Sequence, residues 1–480
     1  MSARLRNSFI KSTGEYAEEN SVTKNESEKR TIKSEKYGSR LGMEEKAGPN
    51  SFSDIAEIGD GETTGKVNNS RTSENDEYSA SASKYDADSG NGAEEKTKFT
   101  KEVPGVFGII IRLILCLLCG IVFGFCLGRG RVFEPKSIRS QMVFETFIML
   151  KMFLAAVCTG QIIFSVISVL PATKKLFEEA VLEYIACFTH KGIVTSAIGA
   201  FVLGCGMTLS GACPGMILAQ IGSWVPNSIF TAIGCLVGAL TYGMAAPLIQ
   251  KYTQPKKPLK SKTVNQTLKL PFIAVALPMA VMLLVAIILL EVYWDYSKDL
   301  EYIGRKLPPY SNIVTAVAWM PSVTGAIIGL IQLPLVFTVH DTMGGSSAYV
   351  TIVSQWVVTK RLQEMFPYLA AKRCGLGNWW QVIYVSGAVL GAALASVASD
   401  TMATSHGVNL PTSIIGGILM LWGARFASGC TSGHGLSGMG LLAWLSFVAV
   451  PCMFAGGIVT AFSMKATGDI DDYVTTTGGS

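Results

Sequence analysis

For its first hundred residues the chain is polar, and from Val103 to about Met464 it alternates apolar stretches of membrane length with short polar breaks. A hydrocarbon core takes about 20 helical residues to cross, since each residue adds about 1.5 Å. Runs of that order lie at Val106–Leu127, Met142–Leu170, Gly192–Leu209, Ile229–Ile249, Leu270–Val292, Val314–Val339, Trp379–Val397, Ser413–Phe426 and Leu441–Phe462. The pattern predicts an all-α polytopic membrane protein of about nine transmembrane helices, plus re-entrant half-helices where apolar runs stop at polar breaks. Lys174–Phe188 interleaves charged with apolar positions and reads as an interfacial helix. Tyr349–Met365 leaves open whether it crosses.

Two breaks stand apart. Leu209-Ser210-Gly211-Ala212-Cys213-Pro214-Gly215 interrupts one apolar run, and Ala427-Ser428-Gly429-Cys430-Thr431-Ser432-Gly433-His434-Gly435 interrupts another. At a constant offset of 217, Ser196 matches Ser413, Gly199 matches Gly416, Gly206 matches Gly423, and Cys213 matches Cys430. Hydrocarbon penalises unpaired backbone groups, so breaks at matching places in two halves mark a site at membrane depth. The expected organisation is two pseudo-symmetric, inverted repeats at 101–250 and 270–464, flanked by a polar N-terminal tail (1–100) and a short C-terminal tail (465–480). A basic linker, 251–269, joins the repeats.

Charge sharpens this division. Of 40 basic and 35 acidic residues, 15 and 19 fall in residues 1–100, leaving 25 and 16, net +9, for the remainder. The tail has no cysteine and no apolar run that could build a core, so it is expected to be disordered. The linker carries six lysines and no acidic residue, which places it on the cytoplasmic side by the positive-inside rule. Arg129, Arg131, Lys136 and Arg139 read as a similar basic loop. The excess suits a membrane face rather than nucleic acid. No apolar signal segment precedes the first span, so that span must target the chain itself.

All eleven cysteines lie between Cys116 and Cys452, mostly within apolar segments. No second ligand pair at zinc spacing accompanies Cys116 and Cys119, so no metal or other cofactor is expected. A phosphate-binding Gly-x-x-x-x-Gly-Lys-Ser/Thr loop is absent, which removes a nucleotide-driven pump. A break followed by a half-helix aims free N–H groups and a positive dipole end toward the middle of the bilayer, which favours an anion. Gly211, Gly215, Gly429 and Gly433 would let backbone approach it, and Cys213 and Cys430 offer soft thiols to a polarisable sulfur. Ser432 and His434 are further candidate donors. Arg425 sits within an apolar segment, where a charge is costly and functional; snorkelling or a carboxylate partner is its alternative. Glu134, Glu145 and Asp341 are candidates for proton coupling, or ordinary ion pairs and caps.

Gly423 through Gly435, with Ala427, Gly429, Cys430, Gly433 and His434, resembles the second signature of the YeeE/YedE sulfur-transport family. Gly206 through Cys213 is similar to its first. The resemblance covers roughly residues 105–464. It implies an hourglass-like permease without enzymatic activity, whose paired short helices meet at a constriction and pass thiosulfate or a related sulfur oxyanion inward. Carried to this chain, the path cysteines are Cys213 and Cys430. A third family cysteine follows a Gly-Arg break after the first span; Gly128–Glu134 has none. The partners implied are the sulfur anion and the lipid bilayer of a cell membrane, which the long polar tail suggests is a eukaryotic plasma membrane. Competing functions are a thiol or persulfide relay handing sulfur to a cytoplasmic sulfur-accepting protein, a membrane redox protein, and a passive anion channel.

Overall fold

The computed structural model describes residues 106–186, 192–253, 263–305, 312–313 and 315–475. The polar tail, Cys187 and the centre of the basic linker lie outside the described residues. Nine helices among the described residues are long and apolar enough to cross a membrane, and strand is confined to one pair of two-residue segments. The protein is an all-α, multi-pass membrane protein.

The first half contains α1 (Val106–Arg129), the short α2 (Pro135–Met142), α3 (Ile148–Val169), α4 (Pro171–Ala186) and α5 (Ile193–Ser210). After the first break come α6 (Met216–Gly222) and α7 (Ser228–Thr253). Single-turn α8 (Val264–Leu268) leads to α9 (Phe272–Tyr293) and α10 (Tyr296–Tyr302). The next span is built from two collinear pieces, α11 (Pro321–Leu330) and α12 (Gln332–Val339). Short helices α13 (Ser346–Val353), α14 (Lys360–Met365) and α15 (Pro367–Arg373) precede α16 (Leu376–Ala398). Then come α17 (Leu410–Ala427), an eight-residue π-helix (Thr431–Gly438) and α18 (Trp444–Thr467). Antiparallel β1 (Gly407–Val408) and β2 (Tyr473–Val474) tie the C-terminal segment to the loop before α17.

Several boundaries move for local reasons. The run expected from Met142 starts as a helix only at Ile148, because Phe144 turns the chain with φ 64°. The run expected from Val314 begins at Pro321, whose fixed φ suits a first helical position. Tyr349–Met365 does not form a crossing helix: it divides among the end of α13, a 3₁₀ turn at Ser354–Trp356 and α14. An eight-residue helix rises only about 12 Å.

Small residues let the spans approach at backbone distance. Gly120, Gly124 and Gly128 of α1 face Tyr384, Ala388 and Ala395 of α16, and Gly387 and Gly391 return the contact against Leu117 and Ile121. Gly325 and Gly329 of α11 meet Met152 and Ala156 of α3 in the same manner. At the centre α5 crosses α17. Gly199 touches Gly423 and Ala427, while Gly206 touches Gly416 and Met420. As one helix number rises the other falls, so the two run antiparallel. Exchanging each residue for its counterpart 217 positions away turns the first set of contacts into the second: Gly199 with Ala427 becomes Gly416 with Ser210, and Gly206 with Met420 becomes Gly423 with Leu203.

The basic stretch after α1 corrects the expectation of a solvated loop. Arg129, Arg131 and Arg139 are each 1% exposed. Carbonyls, aromatic faces and one carboxylate hold them there: Arg129 donates to the Ala316 carbonyl, Arg131 pairs with Glu134, and Arg139 lies over the Tyr473 ring.

Candidate functional site

Both breaks end a core helix with a residue in the left-handed region. Gly211 does so at φ 58°, and its N–H bonds back to Thr208. A Cβ there would also sit 2.5 Å from that of Pro135, so only glycine serves both demands. Ser428, φ 68°, ends α17 in the same way.

Carbonyls of Met207, Thr208, Leu209, Gly211 and Pro214 at the first break find donors within the protein. Ala212 N–H reaches the Met207 carbonyl at 3.1 Å. Arg139 donates to Thr208 (3.1 Å) and Leu209 (2.8 Å), placing its positive charge at the negative end of α5. Gln220 bridges the carbonyls of Gly211 and Phe133, both at 2.8 Å. Tyr349 Oη donates to Pro214 at 2.9 Å. At the second break, Gly429 N–H reaches Ala424, the His434 ring Nε2 bonds the Ala427 carbonyl at 3.1 Å, and Tyr184 Oη donates to Gly433 at 2.9 Å. His434 Nδ1 meets Ser446 Oγ at 3.2 Å, so both ring nitrogens brace the backbone. Gly429 leaves room for that ring: a Cβ would stand 2.7 Å from it.

The cysteines open the short helices. The Cys213 carbonyl accepts from Ile217 and its Sγ accepts the Met216 N–H at 3.4 Å. The Cys430 carbonyl accepts from His434, and its Sγ lies 3.2 Å from Ser432 Oγ. Cys213 and Cys430 are 7% and 1% exposed, and all ten described cysteines are free thiols. Cys213 of the first break and Thr431 and Ser432 of the second line one cavity, so breaks 217 residues apart meet at a common space. A Cβ on Gly433 would meet only Cys430 Sγ, at 4.0 Å; one on Gly215 would touch the Phe123 ring at 3.4 Å and have Cys213 Sγ at 4.0 Å. These two glycines keep space open beside the thiols. Gly435, whose Cβ would strike Phe153 at 2.3 Å, serves packing.

Arg425 is 7% exposed and reaches Ser347 Oγ at 3.1 Å and Ser346 Oγ. No carboxylate pairs with it among the described residues, and its Nε has no hydrogen-bond partner there. Among the described residues it forms no ion pair, and it is too buried to snorkel. Arg425 lies in the last turn of α17, five residues before Cys430, at the helix end where the second break begins. Glu134 and Glu145, by contrast, are held in ion pairs with Arg131 and Arg305, and with Lys465. Asp341 accepts the Thr342 N–H, as a cap does.

A cavity adjoins Cys213, Thr431 and Ser432. Its wall includes six methionines, Met142, Met149, Met152, Met207, Met216 and Met453, and no ionisable side chain other than the Cys213 thiol. The sequence pattern gave no sign of this, because the six come from five separate elements and share no spacing. Tyr184, Arg139 and Tyr349 also escaped it, each reaching the breaks from a distant part of the chain, as did Gln220 of the short helix that follows the first break. Among the described residues no group of three or more His, Cys, Asp or Glu is placed to hold a metal ion.

Comparison with known proteins bears on what this site handles. The thiosulfate transporter TsuA of Escherichia coli K12 is 25% identical over 356 residues, covering 71% of this chain and 91% of that protein. The protein of the same name from Spirochaeta thermophila is 24% identical over 356 residues, 69% of this chain and 93% of its own. A probable transporter of Xylella fastidiosa is 37% identical over 148 residues, 30% of this chain and 94% of its own length. The profile of the family described as sulphur transport matches residues 129–459, spanning both cysteine breaks and well over half of the chain. This multi-pass membrane protein therefore belongs to the sulphur-transport family.

Proposed function

We propose that the protein is a permease for thiosulfate or a closely related sulfur-containing anion, which passes the site of Cys213 and Cys430. The observation that carries this reading is the shared cavity at which the two cysteine-bearing breaks meet, with Arg425, a buried cation that has no carboxylate partner among the described residues, at the end of α17 where the second break begins. A buried charge without a counter-ion is costly and becomes favourable when an anion supplies the balance. The methionine wall of the adjoining cavity accounts for the kind of anion. Thioether and thiol sulfur interact through polarisability, which suits a large, weakly hydrated terminal sulfur better than a compact, strongly hydrated oxyanion. The names of the two long relatives agree with this substrate.

Roles divide within the site. Cys213, Cys430 and Ser432 offer S–H and O–H groups to the anion, Arg425 offers charge, and Gly215 and Gly433 keep the approach clear. Gly211, Gly429 and His434 hold the breaks in shape. Two inverted, pseudo-symmetric halves account for the exchange of contacts across the α5–α17 crossing, and the half-length relative from Xylella fastidiosa is consistent with one such half being a unit of its own.

The test is uptake of thiosulfate labelled with radioactive sulfur into vesicles, comparing wild type with Cys213→Ala and Cys430→Ala at equal membrane abundance. Saturable wild-type uptake that falls about tenfold or more in each variant is expected, as for loss of hydrogen bonds to a charged group. Correctly inserted wild type with no uptake would remove thiosulfate as substrate. Full uptake in both variants would reduce the cysteines to packing residues.

A further inference from the structure

Each cysteine-bearing break is held by a phenol from the other half of the chain. Pro214, which follows Cys213 in the first break, accepts a hydrogen bond from Tyr349 Oη at 2.9 Å, and Tyr349 lies beyond the linker, in α13. Gly433, three residues after Cys430 in the second break, accepts one from Tyr184 Oη at 2.9 Å, and Tyr184 lies before the linker, in α4. Both tyrosines are buried. Both carbonyls belong to residues beside the cavity wall in the chain: Cys213 and Gly215 flank Pro214, and Ser432 precedes Gly433.

The surroundings leave room for these contacts. A Cβ on Gly438 would overlap Tyr184 Oη and Ser446 Oγ, which itself lies 3.1 Å from that phenol. Glycine at this position keeps open the place from which the hydroxyl reaches Gly433. On the other side, α13 brings more than its tyrosine. Arg425 Nη1 donates to Ser347 Oγ at 3.1 Å and Nη2 donates to Ser346 Oγ, so one eight-residue helix touches both the first break and the end of α17 where the second begins.

Covering these carbonyls matters because of what else could cover them. A buried carbonyl that loses its donor is costly and takes another where one is in reach. The side-chain donors beside it in the chain are the Cys213 thiol for Pro214 and the Ser432 hydroxyl for Gly433, two of the groups assigned to the anion. A planar trans peptide also fixes the N–H of the next residue once its carbonyl is fixed, so each phenol sets the course of a thiol-bearing loop.

We infer that Tyr184 and Tyr349 are a reciprocal pair of positioning residues for the anion, each covering a carbonyl in the opposite half's break so that the thiols and hydroxyls of the site stay free to donate. The inference rests on the permease reading. Neither tyrosine lines the cavity, so each acts through the donors it spares. Loss of one phenol therefore weakens anion binding without slowing the maximal rate.

The experiment measures initial uptake of radiolabelled thiosulfate against its concentration, in vesicles holding wild type, Tyr184→Phe, Tyr349→Phe or Gly438→Ala at equal membrane abundance. The unfolding temperature of each full-length protein in detergent checks the fold. Each Phe variant should raise the half-saturating concentration about tenfold, the fold-change of one net hydrogen bond, with the maximal rate per inserted molecule within about twofold of wild type. Gly438→Ala, which displaces the Tyr184 hydroxyl without removing it, should shift half-saturation in the same direction. Lost packing alone would lower the maximal rate or the unfolding temperature and leave half-saturation where it was, and that result overturns the inference. A shift in only one of two folded Phe variants overturns the pairing; if one of them does not fold, the other decides alone. Wild type without saturable uptake overturns the permease reading and this inference together, whereas saturable wild-type uptake with unmoved variants overturns this inference alone.

Discussion

Replacing Arg425 by methionine is expected to reduce thiosulfate uptake at least about 100-fold while the protein still inserts and folds. The two halves of that expectation come from one fact, the missing carboxylate. Arg425 is 7% exposed and, among the described residues, its guanidinium bonds the hydroxyls of Ser346 and Ser347 and no carboxylate. Hydroxyls solvate a guanidinium without neutralising it, so the empty site bears a desolvation cost that the anion relieves. Methionine fills similar volume without charge, which removes that cost and leaves the packing of α17 near its present state. The anion then loses its nearest buried cation, and a factor of 100 corresponds to about 2.7 kcal/mol, within the range for charge-assisted hydrogen bonds. Arg425→Lys should recover part of the activity, since it keeps the charge but cannot span two serines with one planar fork. The measurement is initial uptake rate per inserted molecule; a methionine variant that transports as wild type does would remove Arg425 from the path.

Gly124→Leu is expected to prevent accumulation of folded protein altogether. A Cβ at this position would lie 1.8 Å from the Ala388 carbonyl oxygen and 2.7 Å from the Ala388 Cα, backbone atoms that cannot rotate aside. Relief would require α1 and α16 to separate along their length. That separation would also undo the contacts of Gly120, Gly387 and Gly391, each of which meets backbone at under 2.5 Å from an added Cβ. Membrane helices gain little from burying apolar surface, which lipid already solvates, so close packing carries much of their association. Detergent gel filtration should show aggregate in place of a single peak. A monodisperse Gly124→Leu protein would mean that α1 is not held by this contact. Gly344, with nothing within 4 Å of an added Cβ, supplies the matched control, since Gly344→Ala should behave as wild type.

How far the chain could be read in advance depends on whether a feature is written locally. The spans were legible because apolar runs of crossing length have no soluble equivalent, and the two breaks were legible because small polar residues at the ends of such runs violate the demands of lipid. The offset of 217 led from Gly199 and Gly206 to their counterparts, which meet across the crossing. Distant partnerships were not legible. Arg139 sits in a stretch with Arg129, Arg131 and Lys136 that has the composition of a cytoplasmic loop, yet it is buried against the end of α5, 69 residues away in sequence. Nothing near Arg139 announces carbonyls in need of a donor, because the need is created at Thr208 and Leu209. His434 shows the converse: its motif marked it as a residue of interest, but only the Ala427 and Ser446 contacts assign it to bracing. The methionine wall was hidden for a third reason. Methionine is an ordinary core residue, and its concentration in one cavity exists only after five elements have assembled.

The crossing of α5 and α17 has a bearing on how the molecule can move. At four glycines its contacts are with backbone of the facing helix, where no long side chain stands between the two. Such a junction is stiff: a tilt of one helix on the other drives main-chain atoms into overlap on one side and opens a void on the other. The cysteine breaks hang from the ends of these same two helices, so they share that rigidity. The yielding parts near the thiols are the methionine side chains, each with three rotatable bonds that reorient far faster than helices swing. If the anion passes this centre as proposed, passage is a matter of a compliant lining parting around it inside a fixed frame, and the frame itself acts as a hinge-free strut.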